Sequence, residues 1–563
     1  MTSQGNMRTG GRILVDQLRI HGADMAFGVP GESYLAVLDA LYDVPEISFR
    51  ICRQEGGAAM MADAYGKLTG RPGLCFVTRG PGATSASAGV HIAYQDSTPM
   101  ILFIGQVGRD MIEREAFQEI DYRRMFGQMA KWVAQIDDAD RIPEYLARAF
   151  ATATSGRPGP VVLALPEDML RDLTGAADAA PYNSVEAHPS ASDMDRLGSL
   201  LAAAKSPLMI LGGTSWDAEA CRNIQSFAQT HGLPAAASFR CQDYFDNSHP
   251  NYAGDVGIGI NPKLSERAKN SDLVLVVGAR LGEMTTGGYS LFDSPRPKQP
   301  LVHVHAGAEE LGRVYQAELA INSGVKAFAA AAASLTGPSA LDDARRQLVA
   351  TARSDYLEFI QTPKIPGDLQ MGDIMGWLRD RLPEDSIITN GAGNYTTWVH
   401  RFYQYRSFPT QLAPTSGSMG YGAPAAVAAK SVFPERTVVC FAGDGCFMMH
   451  GQELATAVQY GLKIIILVIN NGMYGTIRMH QERAYPERVS GTELVNPDFA
   501  AYARAFGANG ELVEQTDEFA PAFERAMAAD GPTVIEVRID PEAITPKATL
   551  SEIRAAAKAA AGS

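Results

Sequence analysis

Residues 438–471 read VVCFAGDGCFMMHGQELATAVQYGLKIIILVINN. Two continuous apolar runs, Val438–Phe441 and Ile464–Ile469, bracket a glycine turn and a helical stretch. Unbroken runs of this length suit parallel strands covered on both faces. The segment therefore reads as strand, glycine loop, helix and second parallel strand. Gly443-Asp444-Gly445 closes the first strand and Asn470-Asn471 the second. Neighbouring parallel strands put Asp444 and Asn471 at the carboxyl edge of one sheet, where α/β folds bind ligands. A carboxylate and an amide oxygen are hard ligands suited to Mg²⁺, which takes few protein ligands together with phosphate oxygens. Gly445 and the helix start offer backbone N–H groups to those oxygens. Either motif alone is an ordinary turn or strand end; at this spacing the pair points to a metal-held diphosphate.

The same plan extends along the chain. Leu74–Thr78, Met100–Ile104, Val161–Leu165, Leu208–Leu211, Leu273–Val277, Leu301–Val304 and Thr533–Val537 are further strand-like runs, alternating with helical stretches. GLCFVTRGPGATSASAGVHIAY (73–94), followed by MILFIG, repeats the strand–glycine loop–helix–strand order of 438–471. Cys75 to Ile101 and Cys440 to Ile466 are equal spacings, which suggests two copies of one α/β plan. Residues 171–195 and 336–370 have linker composition, with a helix filling part of the second. The expected fold class is α/β, with three doubly wound parallel-sheet domains at 1–180, 190–345 and 365–550. SEIRAAAKAAAGS (551–563) reads as a frayed helical tail.

A chain of 563 residues is too long for one core. Its net charge of -14 argues against nucleic acid or an anionic membrane as partner. None of the six cysteines forms a CxxC pair, and they read as buried free thiols in a reducing compartment. The polar start MTSQGNMRTGGRILVDQL shows no signal peptide, and no apolar run is long enough to span a bilayer. A cytoplasmic protein is expected. The histidines show no metal-binding spacing; His91, His303 and His305 read as packing residues. Gly80-Pro81-Gly82-Ala83-Thr84-Ser85 approaches a dinucleotide fingerprint but lacks its third glycine. That loop is expected to line an active site.

The GDG…NN segment resembles the diphosphate-binding motif of thiamine-diphosphate (ThDP) enzymes. FGVPG (27–31), RQEGGAAMMADAYGKLTG (53–70), TRGPGATSASAG (78–89), QDSTPMILFIGQVG (95–108), EAFQEID (115–121) and TSGSMGYGAPAAV (415–427) extend the likeness. Together they resemble acetolactate synthase catalytic subunits. The resemblance implies pyrimidine-binding, central and diphosphate-binding domains, with ThDP and Mg²⁺ as cofactors. It implies decarboxylation and carboligation of 2-oxo acids through a C2 carbanion and enamine. The alternative is a non-oxidative decarboxylase or aldehyde lyase, like benzoylformate decarboxylase or benzaldehyde lyase, that releases free aldehyde.

Residue by residue, Glu55 matches the carboxyl that bonds the aminopyrimidine N1′ and so lets the cofactor's own imino nitrogen take the C2 proton. The resemblance places the 80–85 loop beside it. Met419 matches the wedge between the two cofactor rings, and Gly417 the carbonyl that accepts the 4′-amino hydrogen. Ala392, Gly393, Asn394 and Tyr395 match one cofactor loop. Gly445, Cys446, Tyr474, Gly475, Thr476 and Ile477 complete the cofactor set. Asp444, Asn471 and the carbonyl of Met473 match the metal ligands. Gln118 matches a substrate-contacting position. Because Glu55 and Asp444 fall in different domains, the resemblance implies a shared site, a homodimer at least and commonly a homotetramer.

Three departures bear on substrate choice. His480 stands where the branched-chain biosynthetic members carry a tryptophan. Gly31-Glu32-Ser33 replaces a Gly-Gly-Ala, and a carboxylate at Glu32 would repel an anionic substrate or bond a hydroxylated one. AGDVGIGINPK (253–263) replaces the segment of flavin-binding members. Gly212-Gly213, Arg240 and Gly278-Ala279-Arg280 remain as nucleotide contacts, and FAD is the less favoured expectation.

Overall fold

A computed structural model of the chain describes residues 7–561. The chain divides into two compact units, one ending at Glu186 and one beginning at Ala187.

In the first unit, β1 (Arg8–Thr9) pairs antiparallel with β8 (Leu173–Thr174), tying the start of the unit to its end. Between them run β2 (Met25–Gly28), β3 (Ser48–Ile51), β4 (Gly73–Val77), β5 (Met100–Gln106), β6 (Trp132–Gln135) and β7 (Pro160–Pro166). These six form one parallel sheet in the order β3-β2-β4-β5-β7-β6. Every residue of β4, β5 and β7 is buried, as continuous apolar runs between helical layers require. Phe76 and Phe103 stack at 4.6 Å across neighbouring strands.

The second unit holds two more six-stranded parallel sheets. One comprises β9 (Pro207–Leu211), β10 (Ala235–Ala237), β11 (Tyr252–Asp255), β12 (Leu273–Val277), β13 (Leu301–His305) and β14 (Leu319–Asn322), in the order β11-β10-β9-β12-β13-β14. This is the strand order of dinucleotide-binding sheets. The other comprises β15 (Ile387–Asn390), β16 (Gln411–Leu412), β17 (Val438–Gly443), β18 (Ile465–Asn470), β19 (Asn509–Val513) and β20 (Thr533–Arg538). Its order, β16-β15-β17-β18-β20-β19, has the connectivity of the first unit's sheet, so the internal repeat is structural. The register differs by one residue: Cys75 faces Leu102, whereas Cys440 faces Ile466.

Two sequence readings of organisation need correction. The stretch without regular structure ends at Ser190, because Ser190 and Asp193 form a reciprocal capping box that starts the helix Ala191–Ala203. Over its described residues the C-terminal segment is not a frayed tail; Gly562 and Ser563 lie outside them. Leu550–Ala561 is a docked helix: Leu550 is buried with Met479 and Ile544, and Arg554 reaches the buried Glu482 at 2.7 Å. All six cysteines are buried free thiols. His303 and His305 are buried in β13, and burial pushes the His303 pKa down to about 4. His91 is exposed rather than packed. Among the described residues no helix is long and apolar enough to cross a membrane.

Candidate active site

In the second unit, β17 and β18 lie side by side with Gly443 opposite Ile469, so the residues following each strand emerge together. Asp444 is the first residue of the helix Asp444–His450 and is 3% exposed. One carboxylate oxygen accepts the Gly445 N–H at 2.9 Å, and the other accepts the Asn496 side-chain amide at 2.8 Å. Burial raises the Asp444 pKa above the usual aspartate range. Among the described residues no Lys, Arg or His forms an ion pair with it. Asn496 also donates to Asn470 Oδ1 at 3.0 Å and so ties the two strand ends together. The Asn471 side-chain oxygen accepts the Met473 N–H at 3.3 Å.

These groups open onto a cavity of about 230 Å³. Ala392–Tyr395, Gly417, Met419, Asp444–Cys446, Asn471 and 473–477 all line it, so every residue named above for the cofactor in this unit meets there. Trp398, Ile469, Ile539 and Ile544 also line it and had no motif to reveal them. Tyr395 Oη accepts the Gly391 N–H at 3.1 Å and lies 3.3 Å from Cys446 Sγ, which holds the 392–395 loop against the helix start. Gly445 carries no side chain for a steric reason: a Cβ there would come within 2.5 Å of the Tyr474 ring. Met419 is half-buried against the hydrophobic cluster of this sheet.

His480 does not line the cavity. It is exposed on the helix Gly475–Ala484, whose buried side carries Met479 and Glu482. That helix is fixed through Glu482, which bonds Arg554, Arg478 and the Glu487 N–H. The Arg554 contact leads in pulling the Glu482 pKa down to about 2.

In the first unit, Glu55 opens the helix Glu55–Thr69, whose N-cap Gln54 accepts the Gly57 N–H at 3.0 Å. A Cβ on Gly82 would lie 3.4 Å from Glu55 Oε1, so the glycine loop after β4 does sit beside this carboxyl. Gly80 packs on Gln118, which adopts a left-handed φ of 66°. A non-glycine residue held there marks a turn fixed by its surroundings. Glu32 lies at the opening of a short 3₁₀ turn with its side chain 70% exposed, 3.3 Å from Arg79. Arg79 also meets Glu167 at 3.2 Å. Glu32 and Glu167 thus share a guanidinium that had no place among the residues singled out from sequence.

Three family models match the chain: thiamine pyrophosphate enzyme N-terminal TPP binding domain over residues 8–125, central domain over 194–332, and C-terminal TPP binding domain over 391–537. The chain is 32% identical to the acetolactate synthase isozyme 2 large subunit of Escherichia coli, covering 94% of this chain and 95% of that protein. It is 31% identical to the acetolactate synthase large subunit of Corynebacterium glutamicum, covering 95% and 87%. It is 28% identical to the mitochondrial acetolactate synthase catalytic subunit of Saccharomyces cerevisiae, covering 94% and 81%. The chain belongs to the acetolactate synthase-like thiamine-pyrophosphate enzymes.

In this ThDP enzyme the loops at the switch point of the central sheet pack closely on one another. The switch between β9 and β12 is where a dinucleotide would enter. There a Cβ on Gly213 would come within 2.1 Å of the Gly278 carbonyl, so the two loops meet backbone to backbone. The Gly212 and Gly213 carbonyls are capped by Trp216 Nε1 and Tyr244 Oη, both at 2.8 Å, and those rings stack at 5.3 Å. Arg240 donates to the Pro414 carbonyl at 2.5 Å, and Arg280 lies 3.3 Å from Glu310. The groups named as nucleotide contacts are engaged with the protein in these ways.

Proposed function

We propose that this ThDP enzyme decarboxylates a 2-oxo acid and joins the remainder to a second carbonyl compound, with Mg²⁺ holding the cofactor. The observation that carries the reading is Asp444: a buried carboxylate with no cationic side chain paired to it among the described residues, at the edge of two parallel strands, facing a cavity. A buried charge of this kind calls for a cation. The donor set of Asp444, Asn471 and the Met473 carbonyl is all oxygen and suits Mg²⁺, with diphosphate oxygens completing the shell.

When bound, ThDP supplies an acidic ring carbon and a cationic ring that takes up the electrons left as CO₂ departs. Met419 would wedge the cofactor bent, and the Gly417 carbonyl would accept its amino hydrogen. Glu55 would hold a proton at the pyrimidine nitrogen, and Gln118 would bond the substrate. The relatives named acetolactate synthase favour carboligation over simple aldehyde release. We further propose domain limits of 1–180, 190–345 and 365–550, and a dimer as the smallest active unit.

The test is product analysis on a panel of 2-oxo acids with the purified, ThDP- and Mg²⁺-saturated protein. A hydroxy-oxo acid product with CO₂ release is expected; free aldehyde alone would replace the reading with a decarboxylase. With the Gly212, Gly213, Arg240 and Arg280 groups held by protein partners, a colourless protein whose turnover is unchanged by added FAD is expected. Stoichiometric flavin absorbance in the purified protein would refute that part.

A further inference from the structure

Arg79 lies in the loop between β4 and the helix Pro81–Asp96. Its neighbour Gly80 touches Gln118, and Gly82 in the first turn of that helix abuts Glu55. The Arg79 side chain is 8% exposed. Nε donates to the Phe117 carbonyl at 3.1 Å, and the two terminal nitrogens meet Glu167 at 3.2 Å and Glu32 at 3.3 Å. Three of its N–H groups are engaged in this way, and a guanidinium carries five. The next residue after Phe117 is Gln118, whose side-chain amide has no hydrogen-bond partner among the described residues. A cation and an unpartnered amide therefore stand on the loops that frame Glu55.

Two carboxylates on one guanidinium leave one negative charge in excess, so an incoming anion is repelled unless one of them moves. The two are not equally held. Glu167 is 29% exposed and Glu32 70% exposed. An ion pair so open to water contributes little and breaks readily. Glu32 is the one that can yield.

We propose that Arg79 is the specificity residue for a substrate carboxylate, and that Glu32 is a stand-in which this carboxylate displaces from the guanidinium. The proposal rests on the carboligase reading above. A carboxylate that leaves as CO₂ must give up its charge, and a guanidinium gripping it would oppose that loss. A carboxylate kept in the product retains its charge throughout, so binding it is compatible with turnover. The acceptor 2-oxo acid carries such a group, and the planar guanidinium suits it in two-point contact.

The test uses the full chain saturated with ThDP and Mg²⁺, the best donor from the panel, and two acceptors: 2-oxobutanoate, and propanal, which lacks the carboxylate. Arg79→Gln should raise the KM for 2-oxobutanoate about ten- to a hundredfold, the size of a charge-assisted hydrogen bond. The KM values for donor and propanal should move by less than about twofold. Glu32→Gln, at an exposed position, should lower the KM for 2-oxobutanoate. An unchanged ratio of 2-oxobutanoate to propanal in Arg79→Gln, with ThDP binding retained, would overturn the proposal. So would a parallel rise in donor KM. If Arg79→Gln does not fold, Glu32→Gln decides alone, and an unchanged acceptor KM overturns the idea. Failure of the unaltered protein to ligate any acceptor is a different result: it removes the carboligase reading and this proposal with it.

Discussion

Asn496 is the only side chain that donates a hydrogen bond to Asp444 among the described residues, and it holds Asn470 as well. Its part is positioning. Asn496→Ala frees a buried carboxylate to rotate away from the metal position. Outer-sphere changes of this kind cost about 10–100-fold in metal affinity. The expected outcome is a raised Kd for Mg²⁺ in titrations of cofactor binding, with kcat recovered at saturating metal. An unchanged Kd would show that the strand ends alone fix Asp444. Glu55→Gln keeps the shape and the helix start but removes the acid. Turnover should fall by about 10²–10⁴-fold while ThDP still binds. Near-normal turnover would sink the activating role. Asp444 and Asn471 were legible because each ends an apolar run and one strand–helix–strand unit fixes their relation. Asn496 was not, since it lies outside any element and meets Asp444 only through folding. Arg79 was visible in TRGPG, but nothing in sequence shows that Glu32 and Glu167 converge on it.

Elements built from long Val/Ile/Leu runs were readable, because burial on both faces leaves no other composition. β10 is three alanines and β16 two residues, Gln411 and Leu412; neither has a pattern to read. β11 had none either, yet it ends in Asp255, which matters for stability. Asp255 lies 3.5 Å from the Gln242 amide, and Gln242 in turn bonds Gln411 of β16 and the carbonyl of His400 in the helix Thr396–Phe402. Burial pushes the Asp255 pKa up to about 7. A raised carboxyl pKa means that the folded state binds the proton more tightly than the unfolded chain. The contribution is therefore intact below about pH 4 and is lost as pH rises through about 7. Thermal unfolding should show the protein less stable at pH 8 than at pH 5.5. Asp255→Asn should flatten that slope and raise Tm at pH 8 by about 1–2 degrees, for about 1–2 kcal/mol. A slope unchanged by the substitution would place the pH dependence elsewhere.

At the scale of the whole molecule, the sequence held the three-sheet plan and the kinship of the first and last sheets. The one-residue difference in register between their central strand pairs is invisible in spacing, since both cysteine–isoleucine intervals are equal. Glu55 lies in the first unit and Asp444 in the second. The proposed dimer makes a sharp prediction about complementation. Glu55→Gln and Asp444→Ala, each alone, should give nearly inactive protein. If one cofactor takes Glu55 from one protomer and Asp444 from the other, a mixed dimer has one site with both lesions and one with neither. Random reassembly of equal amounts makes half of the dimers mixed, so activity should return to about a quarter of the unaltered value. Sedimentation of the mixture shows whether dimers formed, and titration with ThDP counts the sites that keep Asp444. If Glu55 and Asp444 of the same protomer serve one cofactor, every site in the mixed dimer carries a lesion. Activity then stays at the level of the single variants, and the shared-site reading fails.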